Sequence, residues 1–167
     1  GIHHEDLALA LSRHATSKIS NLEELETVTS MGFRGEALPS IASVSRLQLI
    51  SRWEESDSGW VVSNEGNNTT LTPVPAPHPV GTTVEVRDLF YNTPARRKFL
   101  RTDKTELGHI DLLVKRLALS RFDVAFHLRS NRRETVTLPL ALSQSEKERR
   151  LAQLLGPGFL DQSFYLR

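Results

Sequence analysis

The 167-residue sequence contains no cysteine and no long apolar run. The lack of cysteine excludes a disulfide framework, a cysteine-based zinc site and thiol catalysis. No apolar stretch approaches the roughly 20 residues that a membrane span needs, and the first residues lack the apolar core of a signal peptide. We therefore expect a chain with no membrane partner and no export signal.

The sequence also has no excess of charge, since 21 basic residues face 20 acidic ones. Overall charge therefore argues neither for nor against a nucleic-acid partner, and only local clusters are informative. The histidines are scattered apart from His3 and His4, so no spacing resembles a zinc site and no metal ligands are expected in this chain. An apolar fraction of 38% is typical of a globular protein.

The spacing of apolar residues predicts an α+β fold with hairpin-connected strands. Helices are predicted at residues 5–13, 21–25, 36–44, 103–120 and 143–155, with another opening at Pro94. Strands are predicted at residues 45–52, 60–62, 69–71, 82–87, 124–129 and 135–138. The helix at 103–120 should cross the face of the sheet with one apolar stripe formed by Ile110, Leu113, Val114, Leu117 and Ala118. Residues 73–79 hold four prolines, which exclude a central strand or helix and favour a stiff surface connection.

A glycine-flanked loop precedes the helix predicted at residues 36–44. Its sequence, residues 32–38, is GFRGEAL. Two glycines let the backbone approach an anion closely, and a following helix would point its free N–H groups at a phosphate. The spacing alone is more typical of an ordinary turn and helix cap.

Three strings together are more specific than that spacing. RHATSKI at residues 13–19, GFRGEAL, and GTTVEVRDLFYNTPARRKFL at residues 81–100 occur in this order. They resemble the N-terminal ATPase region of the MutL family of DNA mismatch-repair proteins, within the GHKL superfamily. The resemblance implies a two-layer sandwich of helices on a mixed, mostly antiparallel sheet. It places a partial GHKL domain at residues 1–142 and the start of a second, α/β domain, similar to ribosomal S5 domain 2, at residues 143–167.

The resemblance also implies an ATP site. Residues 16–18 match the lid over the nucleotide, the 32–35 loop matches the phosphate loop, and Thr82 matches a strand hydroxyl that supports adenine recognition through water. The implied ATP-binding residues are Gly1, Thr16, Ser17, Lys18, Gly32, Phe33, Arg34, Gly35 and Thr82. Without the family match, Phe33 would be read as a core anchor, Ser17 as a helix cap and Thr82 as an ordinary strand residue.

Gly1 matches the second glycine of the family's DNGxG motif, so the chain resembles a fragment that begins inside that motif. The family's adenine-reading aspartate, its general-base glutamate and its magnesium-binding asparagine would all lie upstream. We therefore expect ATP and Mg²⁺ as cofactors of the complete enzyme, no catalytic residue in this fragment, and no ATP hydrolysis by it alone. We also expect either a partner chain that completes the fold or poor solubility.

A basic stretch follows Pro94. On a continuous helix, Arg97, Arg101 and Lys104 would share one face at i, i+4 and i+7. Such a stripe can bind phosphate backbone without reading sequence, so DNA contacts are predicted for Arg97, Lys98 and Arg101. The carboxylates of Asp103 and Glu106 could equally neutralise this basic stripe.

The resemblance implies a nucleotide-driven switch in a bacterial cytoplasm, associated with the nucleoid. ATP binding and slow hydrolysis would drive homodimerisation and couple mismatch detection to repair. Its implied partners are DNA without sequence specificity, a MutS-like mismatch-recognition protein and a downstream nuclease or helicase. One alternative is a non-enzymatic DNA- or partner-binding module. Another is a different GHKL ATPase, such as a type II topoisomerase subunit, a heat-shock chaperone or a sensor kinase, although NTPARRKF does not fit those.

Overall fold

The computed structural model describes residues 1–16, 32, 34–65 and 71–164. These residues form two compact units, Gly1–Phe99 and Leu100–Arg167. The helix predicted at 21–25 and most of the strand predicted at 69–71 lie outside the described residues. No helix within the described ranges is both long and apolar enough to cross a membrane.

The first unit is built on a four-stranded antiparallel sheet. Its elements are α1 (His4–Ala10), α2 (Ala37–Ala42), β1 (Arg46–Arg52), β2 (Gly59–Glu65), β3 (Val74–Ala76), β4 (Gly81–Arg87) and α3 (Pro94–Arg97). The strand order is β3-β2-β1-β4. The predictions of α1, α2, β1, β2 and β4 are thereby confirmed in type, with small differences at their ends.

Strand β1 positions the core of this unit. Leu47, Leu49 and Ser51 are buried while Arg46 and Gln48 are exposed, which is the two-residue period expected of a strand covered on one face. Leu47 and Leu49 pack with buried side chains from both helices and β2, namely Leu7, Leu11, Ala42 and Val62. Burying each large apolar side chain contributes about 1.5–3 kcal/mol, so these contacts hold α1 and α2 on the sheet.

The proline-rich segment contains a strand that the sequence reading did not predict. Val74–Ala76 forms β3 at the edge of the sheet, where Pro75 lies opposite Trp60 of β2. An edge strand needs hydrogen bonds on one side only, so proline's missing N–H is tolerated there. The exclusion of a central strand is correct, but the segment is more than a connection.

The second unit pairs helices with one hairpin. Its elements are α4 (Asp103–Ser120), β5 (Phe126–Ser130), β6 (Arg133–Leu138), α5 (Gln144–Leu155) and α6 (Gly158–Asp161). The bounds of α4 agree with the prediction of residues 103–120. Its core is formed by Ala118, Val136 and Leu138, against which Val114, Phe126, Leu128 and Leu154 pack.

Only part of the predicted apolar stripe of α4 is covered. Ala118 is buried, but Ile110 is 48% and Leu113 is 57% exposed. The helix contacts the β5–β6 hairpin of its own unit. That α4 crosses the sheet of the first unit stays a prediction. The domain boundary between residues 142 and 143 stays a prediction as well.

Local signals define α5 at both ends. Ser143 accepts a hydrogen bond from the Glu146 backbone N–H, and the Glu146 carboxylate accepts one from the Ser143 backbone N–H. This reciprocal capping box satisfies N–H groups that the first helical turn leaves free. Gly156, at φ +94°, ends the helix in a conformation that favours glycine.

Candidate functional site

The ends of two predicted motifs lie side by side in the first unit. The hydroxyl of Thr16 donates to the carbonyl oxygen of Gly32 at 3.0 Å. One residue earlier, the backbone of Ala15 lies against Gly35. Before that, His14 Nδ1 lies 2.9 Å from Glu36 Oε1, an ion pair by distance when the imidazole is protonated. These contacts join the RHATSKI segment to the GFRGEAL loop.

Gly35 is required by this close approach. It has a φ of +60°, and a Cβ at this position would lie 2.7 Å from the carbonyl carbon of Ala15 and closer still to its oxygen. Any side chain would therefore push the two segments apart. The N–H of Gly35 also donates to the Gly32 carbonyl at 3.2 Å, which closes the turn.

Gly32 has a different environment. Its φ is +88°, and no described atom lies within 4 Å of where its Cβ would be. Within the part of the chain that the structure describes, the side of the loop at Gly32 is therefore open, and Arg34 on the same loop is exposed. Phe33, predicted with them, lies outside the described residues.

Helix α2 follows this loop but is short. It begins at Ala37 and has six residues, with Glu36 at the N-cap and no side-chain capping bond. A helix this short has a small dipole, so the predicted contribution of its N-terminus to anion binding is minor compared with that of the loop.

The far end of α2 is held by the loop after β4. The N–H of Phe90 donates to the Val44 carbonyl at 2.7 Å, and Asn92 Nδ2 donates to the Ser43 carbonyl at 2.9 Å. These bonds satisfy carbonyl groups that follow the last turn of the helix. Both ends of α2 are thereby fixed to segments that belong to the three motifs.

A second cluster brings together Gly1 and Thr82. The N–H of Ile2 donates to Ser51 Oγ at 2.7 Å, and the hydroxyls of Ser51 and Thr82 lie 2.8 Å apart. Gly1 packs so closely on the backbone of Arg52 that a Cβ there would clash with the Arg52 carbonyl. The start of the chain and the start of β4 therefore meet at Ser51.

Helix α1 lies between the two clusters along the chain. Ile2 lies two residues before the helix, and His14 lies four residues after it. The seven residues of the helix span about 10 Å. The structure thus groups Thr16 with Gly32 and Gly35, and Gly1 with Thr82. Ser17 and Lys18 lie outside the described residues.

Sequence reasoning missed Ser51. The signal was present, because Ser51 follows Leu47 and Leu49 on the buried face of an alternating strand. A polar residue in such a row needs a hydrogen-bond partner, and the partner is commonly part of a site. No comparable pattern in the sequence predicted the contact between His14 and Glu36.

The predicted basic stripe is wrong in its geometry. Helix α3 ends at Arg97, and α4 begins only at Asp103, so Arg97, Arg101 and Lys104 do not share one helix. The break arises at Thr102, whose side chain caps α4 by accepting from the Thr105 N–H. Arg97, Lys98 and Arg101 are exposed, and none of them forms an ion pair within the described ranges.

Curated relatives match almost the whole chain. The DNA mismatch repair protein MutL of Cellvibrio japonicus is 58% identical over 166 residues, which is 99% of this chain and 26% of the relative. MutL of Pseudomonas syringae pv. tomato is 56% identical over 163 residues, which is 98% of this chain and 25% of that protein. The chain belongs to the MutL family. It spans about a quarter of the length of these relatives.

Solved structures agree with this assignment to the MutL family. The Aquifex aeolicus MutL ATPase domain complexed with ADP has a TM-score of 0.65 and 36% identity, over 81% of this chain and 52% of that one. The N-terminal domain of a DNA repair protein, at 16% identity and a TM-score of 0.62, shows the fold alone; it covers 90% of this chain and 45% of that one. No family model matches the chain. The predicted MutL resemblance and GHKL fold are confirmed, and other GHKL subfamilies are set aside.

Proposed function

We propose that the chain forms part of a nucleotide site that binds ATP. The 32–35 loop and Arg34 would contact the phosphates, and the cluster of Gly1, Ser51 and Thr82 would lie at the base. The observation that carries this proposal is the hydrogen bond from Thr16 to Gly32, together with the contact of Ala15 and Gly35. These contacts assemble two separate motif segments into one loop pair.

The loop chemistry supports an anion. A bare carbonyl oxygen would repel phosphate, but the Gly32 carbonyl already accepts from Thr16 and from the Gly35 N–H. Among the described residues, Gly32 leaves room for close approach, and Arg34 adds a positive charge. Ser17 and Lys18 would complete the lid over the nucleotide.

A relative strengthens the nucleotide assignment. The Aquifex aeolicus MutL ATPase domain, 36% identical to this chain, was solved in complex with ADP. Within the described residues no group of three His, Asp or Glu side chains could hold a metal ion. Mg²⁺, which the family resemblance implies, is part of the proposal for the complete enzyme.

For the whole protein we propose a role in DNA mismatch repair. ATP binding and slow hydrolysis would act as a dimerisation switch between a MutS-like mismatch-recognition protein and a downstream nuclease or helicase. The names of the curated relatives support the role in repair.

Thermal unfolding with and without ATP and Mg²⁺ tests nucleotide binding. A ligand at 100 times its dissociation constant stabilises a protein by about 2.7 kcal/mol, so the melting temperature of the chain should rise. Gly32→Ala should reduce this rise because the methyl group occupies the open side of the loop. Gly156→Ala is the matched control, since Gly156 has a similar φ of +94° and equally open surroundings. No rise with ATP, or an equal reduction in both variants, would refute the proposal.

A second candidate function is DNA binding without sequence specificity. Its support is the exposure of Arg97, Lys98 and Arg101. Affinity for duplex DNA falls as the salt concentration rises, and each phosphate contact makes this fall steeper. Removing three phosphate contacts should therefore reduce the magnitude of the slope of log affinity against log salt by roughly 3. The triple alanine variant should show this loss. A control that removes Arg129, Arg133 and Arg149 changes net charge equally and should not.

A further inference from the structure

The loop at residues 88–93, between β4 and α3, has an unfavourable backbone conformation. Phe90 has a φ of +63° and Asp88 a φ of +51°. Aspartate tolerates a positive φ, but for a bulky residue such as phenylalanine it is an outlier. Thr93, at the N-cap of α3, has a buried hydroxyl with no hydrogen-bond partner among the described residues. A strained loop persists only where neighbouring contacts hold it, and such strain is common at functional sites.

Contacts from β1 and from the segment after α2 hold this loop. Arg46, the first residue of β1, forms an ion pair with Asp88, with Nε 3.2 Å from Oδ2. The guanidinium of Arg46 also lies over the ring of Tyr91, 5.1 Å from its centre, at a distance typical of a cation–π contact. The N–H of Phe90 donates to the Val44 carbonyl at 2.7 Å. One arginine therefore contacts both the start and the middle of the loop.

The register of the sheet explains why Arg46 pairs with the loop. Arg46 lies opposite Arg87 of β4, and like charges directly opposite each other are destabilising. Arg87 donates from Nε to the Glu85 carboxylate at 2.6 Å. The carboxylate of Asp88 balances the charge of Arg46. Each arginine thus has its own carboxylate, and the one that serves Arg46 belongs to the loop.

Overlapping turns connect the loop to α3. The N–H of Tyr91 donates to the Asp88 carbonyl at 3.0 Å, and the N–H of Thr93 donates to the Phe90 carbonyl at 3.1 Å. The N–H of Arg97 then donates to the Thr93 carbonyl, also at 3.1 Å. Because each turn begins before the previous one ends, the loop sets the direction of α3.

The basic segment at residues 96–98 begins in α3, and its three side chains are exposed. We infer that Arg46 is a positioning residue that, through Asp88 and Tyr91, fixes this segment in the orientation that contacts the phosphates of duplex DNA. This inference rests on the proposed DNA binding. A segment that is fixed in advance loses less conformational freedom on binding, which favours affinity.

Asp88→Asn tests the inference by the direction of its effect. Removing a carboxylate near a phosphate-binding surface would by itself raise affinity, because less negative charge then repels the phosphates. Loss of the ion pair with Arg46 predicts the opposite. The dissociation constant for a labelled DNA duplex, measured by fluorescence anisotropy at fixed salt concentration, should rise by roughly two- to fivefold. An unchanged or lower dissociation constant in Asp88→Asn would overturn the inference.

Two further variants complete the comparison. Arg46→Lys keeps the positive charge but lacks the planar group that pairs with Asp88 and stacks on Tyr91, so it should weaken DNA binding by a similar factor. Glu54→Gln removes an exposed carboxylate of the same unit that lies outside the loop, and it should not weaken binding. All variants are compared at a temperature at which circular dichroism shows them folded. Full affinity in Arg46→Lys, or an equal loss in Glu54→Gln and Asp88→Asn, would count against Arg46 as a positioning residue.

A measurement without DNA keeps the inference separate from the proposed function. If the unmodified chain does not bind duplex DNA at low salt, the proposed DNA binding is wrong, and NMR relaxation of the backbone N–H groups at residues 96–98 still decides the role of Arg46. Greater nanosecond motion of these groups in Asp88→Asn than in Glu54→Gln supports that role. Equal motion in the two variants refutes it.

Discussion

The Thr16 hydroxyl donates to the Gly32 carbonyl across 16 residues of chain, at a distance of 3.0 Å. This bond ties the end of the segment after α1 to the first glycine of the loop before α2. Thr16→Val keeps the shape of the side chain but removes the donor. We expect a loss of about 1 kcal/mol in unfolding free energy and weaker stabilisation by ATP.

Urea unfolding followed by tryptophan fluorescence measures the effect of Thr16→Val. Both tryptophans, Trp53 and Trp60, lie in the first unit, so the signal reports that unit. Thr72→Val, at an exposed threonine of the same unit, should change stability by less than about 0.5 kcal/mol. Equal effects of the two substitutions would show that the Thr16 bond contributes nothing.

Gly35→Ala should be among the most damaging small substitutions in the first unit. The added methyl group meets the Ala15 backbone, and a φ of +60° is unfavourable for alanine. We expect a loss of about 1–3 kcal/mol, measured by the same fluorescence. Gly108→Ala, inside α4 and in open space, should instead raise the stability of the second unit by about 1 kcal/mol, measured by circular dichroism. A neutral Gly35→Ala would contradict the close approach.

Arg150 should dominate the stability of the second unit. Its side chain is 2% exposed and donates to the carbonyls of Ala118, Arg121, Val124 and Pro139. Arg150→Ala leaves these acceptors without their donor and removes a packed side chain, so we expect a loss of about 3 kcal/mol or more by circular dichroism. Arg149→Ala, at its exposed neighbour, should stay within about 0.5 kcal/mol. Similar losses in both variants would mean that the carbonyl contacts are unimportant.

Stability of the second unit should fall in acid. The hydrogen bond from Arg121 lowers the pKa of Asp123 from 3.8 to about 2, and hydrogen bonds from Ser143 and Leu142 lower the pKa of Glu146. A lowered pKa means that the folded state binds fewer protons than the unfolded state. The stabilisation is therefore complete above about pH 5 and is lost as the pH falls toward 2.

Urea midpoints at pH 6 and pH 3, followed by circular dichroism, measure this acid dependence. Asp123→Asn and Glu146→Gln should each reduce the difference between the two midpoints, because each removes one of the titrating carboxylates. Glu54→Gln, at an exposed carboxylate of the first unit, is the control. A difference that stays unchanged in both test variants would show that other groups cause the acid sensitivity.

Local signals predicted much of this fold because they act within a few residues. Ser143 and Gly156 mark both ends of α5, and the alternation of Leu47 and Leu49 marks β1. The predicted basic stripe extended across the break between Arg97 and Asp103, although the sequence already predicted a separate helix at residues 103–120, which Thr102 caps. The strand β3 was missed because its pairing with β2 is a tertiary contact.

The candidate site was less predictable than the fold. The resemblance supplied Gly32, Gly35 and Thr82, but it did not show that Thr16 bonds to Gly32 or that Ser51 joins Ile2 to Thr82. Those contacts join residues between 16 and 49 positions apart in the sequence. Neither composition nor periodicity contains information about such pairs, so the structure was needed to find them.

The edge strand β3 also limits how the sheet can grow. Prolines occupy every second position from residue 73 to residue 79, and each one removes a backbone donor. An incoming strand needs a row of free N–H and C=O groups, so this side of the sheet is a poor template for aggregation. Any further strand would be recruited at β4, the opposite edge, whose outer side has no strand partner among the described residues.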